Sequence, residues 1–129
     1  MDLVRDHFAA ANELDFERAV AQFSEDVELV VHPDAFLDEG RFQGLEAVRR
    51  WFGNWFATFE PGYHFEIDEV RDLGDVVYMF AHHRGRGRSS GAEVSGQTAY
   101  LYTVREGTIT RAELYSTPAE ALEAAGVEE

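Results

Sequence analysis

Apolar residues recur at steps of three and four along the first half of this chain, a spacing typical of amphipathic helices. The first predicted helix has an apolar stripe that consists of Leu3, His7, Ala10, Ala11 and Leu14. Asp15 is a suitable N-cap for a second, short helix. The buried side of that helix is predicted to contain Phe16, Ala19, Val20 and Phe23. A third helix, rich in aromatic residues, is predicted from Leu45 to Phe59.

The second half of the chain contains three apolar runs in succession, at residues 76–81, 98–104 and 109–115. Short polar turns with glycine separate them, which predicts an antiparallel meander. Earlier strands are predicted at 27–32, ended by Pro33, and at 63–70, with a loop at 34–44 between the first of these and the third helix. A capping box at Thr117–Glu120 predicts a last short helix. Together these elements predict an α+β domain with its helices against one face of a curved, mostly antiparallel sheet that encloses a pocket.

Composition narrows the classes of function. The 129 residues are expected to form one domain, 1–129, and the net charge of −14 speaks against nucleic acid and anionic membranes as partners. The chain has no cysteine, which excludes disulfides and thiolate chemistry. No stretch has the length of a membrane span, and the N-terminus is acidic where a signal peptide is basic. We therefore expect a cytoplasmic protein without a cofactor.

Several junction motifs resemble one family. They are Asn12-Glu13-Leu14-Asp15, Phe23-Ser24-Glu25-Asp26-Val27-Glu28, Gly44-Leu45-Glu46-Ala47-Val48, and Glu106-Gly107-Thr108-Ile109 before Glu113-Leu114-Tyr115. With them the chain resembles the SnoaL-like branch of the nuclear-transport-factor-2-like superfamily, which includes ketosteroid isomerases and polyketide cyclases. The resemblance implies a cone-shaped sheet with helices on its concave face, an apolar pocket for a small molecule, and a homodimer through the sheet.

The resemblance also implies candidate site residues. His32 occupies the position of the catalytic aspartate of the isomerases, Tyr100 lies near their hydrogen-bond donor, and His7 lies near their pocket tyrosine. A neutral His32 would abstract a proton beside a carbonyl while Tyr100 stabilises the enolate, with Tyr102 or His7 as an orienting group. The expected ligand-binding residues are His7, Phe8, Phe23, Trp51, Trp55, Tyr102 and Leu114.

Other interpretations stay open beside the isomerase- or cyclase-type enzyme. His32 replaces the aspartate of the isomerases, which speaks against their aspartate-dependent mechanism. Epoxide hydrolases belong to the same superfamily, and Leu114 takes the position of one of their aspartates, which speaks against epoxide hydrolysis. His32 and Tyr100 could each be a structural residue with a satisfied hydrogen bond. The chain could then be a non-catalytic ligand-binding or dimerisation module, or a stable scaffold whose own aromatic side chains fill the pocket.

Two clusters of polar residues follow the apolar run at 76–81. His82 and His83 are neighbours on a strand, so they point to opposite faces, and no metal site is expected. Arg84, Arg86 and Arg88 alternate with glycines. These arginines could pair with the surplus of carboxylates, or they could attract an anionic ligand to the mouth of the pocket.

Overall fold

The computed structural model describes residues 2–13, 15–33, 40–58, 64–87 and 91–126. Its helices are α1 (Asp2–Asn12), α2 (Phe16–Val20), α3 (Leu45–Thr58) and α4 (Pro118–Ala124). Its strands are β1 (Phe23–Val31), β2 (Gly40–Gln43), β3 (His64–Asp72), β4 (Val76–Arg86), β5 (Glu93–Arg105) and β6 (Thr108–Tyr115). The predicted α+β class is confirmed. None of the helices described is long and apolar enough to cross a membrane.

The described strands form one sheet in the order β2-β1-β6-β5-β4-β3. Neighbouring strands are antiparallel except β1 and β6, which run parallel. The predicted meander is present as β4, β5 and β6. Register shifts at Ile67–Glu69 in β3 and at Thr103–Val104 in β5 interrupt the ladders, and such irregularities bend a sheet. The sheet is therefore curved, as predicted, and the order of the described strands leaves it open.

Side chains alternate between two faces of this sheet, and each face has its own core. The inner face lies against α1, α2 and α3, and it carries residues such as Leu29, Met79 and Tyr100. The outer face carries Tyr78, Leu101 and Tyr115, which pack with α4. The prediction of helices on one face holds for α1 to α3. The last helix differs because it follows directly from β6 and has its own apolar side, which it buries on the outer face.

The start of the sheet differs from the prediction at two places. Phe23, expected on the buried side of α2, begins β1 instead and pairs with Ile109 of β6. The predicted loop at 34–44 contains the short strand β2 at its end. Residues 34–39 of that predicted loop lie outside the described part of the chain. The sequence of β2, Gly-Arg-Phe-Gln, has no apolar alternation because its side chains are mostly exposed. Its strand conformation is fixed by pairing with β1, which is a non-local interaction.

Both predicted N-caps are confirmed. The side chain of Asp15 accepts from the backbone N–H of Arg18 at 3.1 Å, and that of Thr117 accepts from the N–H of Glu120 at 3.2 Å. Each bond satisfies a backbone donor that has no partner within the first helical turn. These caps fix the start of α2, whose last turn reaches the candidate site, and of α4 on the outer face.

Candidate functional site

A cavity lies between the inner face of the sheet and the helices α1 and α3. Its walls are mostly aromatic and come from six elements, which are α1, α3, β1, β3, β5 and β6. The lining residues are His7, Phe8, Phe23, Leu29, Trp51, Phe52, Phe65, Tyr100, Tyr102, Ala112 and Leu114. This composition is typical of sites for small apolar molecules, which combine hydrophobic walls with a few polar atoms.

The cavity is narrow. The space between its walls amounts to about 470 Å³, counted with the part that opens to solvent. Only about 30 Å³ of that space is wide enough to hold the centre of a water molecule. A molecule with one ring therefore enters only where the lining side chains move apart, so single-ring compounds are the largest probes suited to this site.

His7 supplies one polar atom to the cavity. Its Nδ1 lies 2.8 Å from the carbonyl oxygen of Ala19, and since a carbonyl only accepts, Nδ1 carries the proton. Burial lowers the pKa of His7 to about 4, although the bond to Ala19 and the charge of Asp6 favour the protonated ring. The ring is therefore neutral at neutral pH. Its second nitrogen, Nε2, is an acceptor that has no hydrogen-bond partner among the described residues.

Tyr100 and Tyr102 stand side by side on β5, with their rings stacked at 5.8 Å. The ring of Tyr102 also lies 5.8 Å from that of His7, edge to face. Burial and the neighbouring Tyr100 raise the pKa of Tyr102 well above its ordinary value, so its hydroxyl keeps its proton. Within the described part of the chain this hydroxyl makes no hydrogen bond. Tyr102 can therefore donate to a molecule in the cavity.

His32 does not reach this cavity. Its ring stacks on Tyr115 of the outer face, with centroids 4.2 Å apart, and its Nε2 lies 3.8 Å from a carboxylate oxygen of Glu113. The reason is strand alternation: Val31 packs into the inner core, so the next side chain points to the other face. The expectation that His32 and Tyr100 meet in one pocket is therefore wrong, and the structure brings His7 and Tyr102 together instead.

Replacing His32 by alanine is expected to lower the free energy of unfolding by about 1 kcal/mol or less. The side chain is 33% exposed, and the contact it loses is mainly the stacking on Tyr115. Urea denaturation of H32A and of the unaltered protein measures the difference. A loss well above 2 kcal/mol would show that the ring makes a structural hydrogen bond that this geometry does not contain.

The other expected ligand-binding residues fall on the cavity wall where their side chains are described. Phe8, Phe23, Trp51 and Leu114 all line it, while the side chain of Trp55 lies outside the described part. The sequence-based list omitted four lining residues, which are Leu29, Phe52, Phe65 and Ala112. Two-residue alternation could have found Ala112 from Leu114, because both point inward from β6.

His82 and His83 point to opposite faces, as expected. His83 is buried, and its Nε2 lies 3.2 Å from the hydroxyl of Thr98. On the outer side, His82 contacts Glu66 at 2.7 Å and Asp68 at 2.9 Å. No group of three or more histidine or carboxylate side chains able to hold a metal ion occurs among the described residues.

The arginine cluster does not border the cavity in the part that is described. Arg84 and Arg86 follow His82 at two-residue steps, and they are exposed. They therefore share the outer parity of β4, opposite to His83. Arg86 donates to the carbonyl of Gly91 at 3.2 Å. Arg88 lies outside the described residues, so an anion site formed by all three arginines stays a prediction.

Comparison with known families identifies a domain family. The model of the SnoaL-like domain matches residues 4–112. A comparison with curated proteins gives no match. The matched range contains every residue that lines the cavity except Leu114, and it agrees with the resemblance found in the junction motifs.

Solved structures of similar fold are numerous. An NTF2-like protein from Burkholderia thailandensis has 25% identity and a TM-score of 0.76, with 96% of this chain and 95% of that chain covered. A candidate polyketide cyclase from Sinorhizobium meliloti has 28% identity and a TM-score of 0.69, with coverages of 89% and 94%. A ketosteroid isomerase-like fold from Catenulispora acidiphila, solved with trimethylamine, has 22% identity and a TM-score of 0.76, with coverages of 98% and 93%.

Proposed function

Because this chain belongs to the SnoaL-like domain family, we propose that its cavity binds a small, largely hydrophobic molecule that carries a carbonyl or hydroxyl group. The observation that carries this proposal is the pairing of aromatic walls with two polar atoms that have no partner among the described residues, Nε2 of His7 and the hydroxyl of Tyr102. Aromatic walls take up an apolar ring, and the two polar atoms orient its oxygen. The similar solved structures support the fold that forms this cavity, and they do not identify its ligand.

The same two groups support proton transfer beside a carbonyl. Nε2 of His7 takes a proton from the α-carbon, and the electron pair of the broken C–H bond forms a carbon–carbon double bond. The negative charge moves to the carbonyl oxygen, which accepts a hydrogen bond from Tyr102. Return of the proton to carbon completes an exchange or an isomerisation. His7 thus takes the role that the family resemblance implied for His32, and Tyr102, with Tyr100 stacked on it, supplies the donor.

Deuterium exchange tests this step without knowledge of the natural substrate. Cyclohexanone in D₂O has exchangeable α-protons, and NMR follows their replacement. We expect the protein to accelerate the exchange and H7N to slow it by roughly a hundredfold or more, because the base is lost. H32N is the matched control, since His32 lies on the other face of the sheet, and it should exchange at the unaltered rate. A rate equal to that of buffer alone would overturn the proposed proton transfer.

A non-catalytic binding module is the second candidate function. The observation in its favour is the weak basicity of His7, whose pKa of about 4 leaves little driving force for removing a proton from carbon. On this alternative the cavity binds apolar ring compounds, while cyclohexanone exchanges no faster than in buffer. The homodimer through the sheet stays a prediction. A second copy would need to cover the part of the outer face that α4 leaves open.

A further inference from the structure

The tautomer of His7 is fixed by the end of α2 and not by a ligand. Ala19 lies in the last turn of this helix, where carbonyl groups have no partner within the helix. His7 satisfies this carbonyl with its Nδ1 proton at 2.8 Å. Nε2 is therefore an acceptor before any molecule enters the cavity, so a ligand must supply the proton of that hydrogen bond.

The described walls of the cavity carry no charged side chain at neutral pH. None of the lining residues is Arg, Asp or Glu. The nearest acidic neighbour along the chain, Asp6, is held by Arg18 at 2.5 Å and by Gln22 at 2.8 Å. Among the described lining residues, an anion would find no cation to pair with and a cation would find no carboxylate, so either would lose its hydration without compensation.

From these observations we propose that the cavity selects uncharged ligands with a hydroxyl group, which donates to Nε2 of His7 and accepts from the hydroxyl of Tyr102. A phenol or an enol has this pattern, whereas a carboxylate, an ether and an ammonium group each lack part of it. The inference rests on the proposed function, because it names the chemical class of the molecule that the cavity binds. It makes His7 a residue that determines specificity.

Four one-ring or small probes test the inference at neutral pH: phenol, toluene, benzoate and trimethylammonium. Shifts of the backbone amide signals in NMR titrations give the affinities. We expect phenol to bind roughly threefold to tenfold more tightly than toluene, because it forms hydrogen bonds that toluene cannot form. Benzoate and trimethylammonium should bind at least roughly a hundredfold more weakly than phenol.

The outcomes separate this inference from the proposed function. Equal binding of phenol and toluene would overturn the selectivity and leave a hydrophobic binding site. Tighter binding of benzoate or trimethylammonium would also overturn it, since the site would then favour charge. Failure of all four probes to bind would overturn the proposed function and this inference together.

A histidine variant assigns the selectivity to one atom. The side-chain amide of H7N can keep the N–H bond to Ala19, but it has no group at the position of Nε2. We expect H7N to lose the preference for phenol over toluene, because only phenol uses the hydrogen bond to Nε2. H64N is the matched control, because His64 is exposed at the start of β3. A phenol preference that persists in a folded H7N would overturn the role of His7.

Discussion

Acidification from pH 7 to pH 5 is expected to lower the free energy of unfolding by roughly 3 to 4 kcal/mol through two buried histidines, His7 and His83. Burial lowers the pKa of each ring from 6.5 to about 4. Between these values the unfolded chain binds protons that the folded protein does not bind. Stability is therefore complete above the unfolded pKa and falls as the pH drops towards 4.

His82 provides a control of the same residue type and the opposite sign. Its contacts with Asp68 and Glu66 raise its pKa, so it stabilises the folded protein below the unfolded value of 6.5, and this contribution is lost as the pH rises through the folded pKa. Urea denaturation at both pH values measures each contribution. H7N and H83N should reduce the loss on acidification, and H82N should increase it. An unchanged loss in H7N would contradict the assignment of a depressed pKa to that ring.

Replacing Tyr102 by phenylalanine is expected to slow the exchange of cyclohexanone by roughly a hundredfold. A single donor to a developing oxyanion contributes about this factor in enzymes whose donors have been removed. The stability of Y102F should change little, because the hydroxyl has no hydrogen-bond partner among the described residues. NMR measurement of the exchange rate, together with urea denaturation, separates the loss of the donor from a loss of fold.

Tyr115 provides the control for that substitution. It lies on the outer face, and its hydroxyl donates to Glu113 at 2.5 Å. Y115F removes this bond, so it should lower stability while exchange at the cavity continues at the unaltered rate. If Y115F and Y102F slowed the exchange equally, Tyr102 would have no special role as donor.

Binding of the apolar part of a ligand depends on walls that the sequence largely identified. Phe8 packs edge to face on Tyr100 at 5.1 Å, and His7 lies 5.1 Å from the ring of Phe23. Each of these residues was expected in the pocket. Their contacts join α1, β1 and β5, so the wall also belongs to the core that holds the helices on the sheet. Substitutions of these rings would therefore change stability and binding together.

The sequence by itself determined the class of the fold, the meander and both N-caps, because each depends on periodicity or on neighbours within a few residues. It did not determine β2, whose strand conformation depends on pairing with β1. It also did not place α4 on the outer face, since an apolar stripe shows that a helix packs without showing on what.

The tertiary structure alone decided which histidine belongs to the cavity. A shift of one residue in a strand reverses the face, and the end of β1 placed His32 on Tyr115. The sequence placed His7 on an apolar stripe, but only the folded chain brought Ala19 against it. That contact fixed its tautomer, and burial among Phe8, Phe23 and Tyr102 lowered its pKa. Protonation depends on the surroundings in space, and those come from distant parts of the chain.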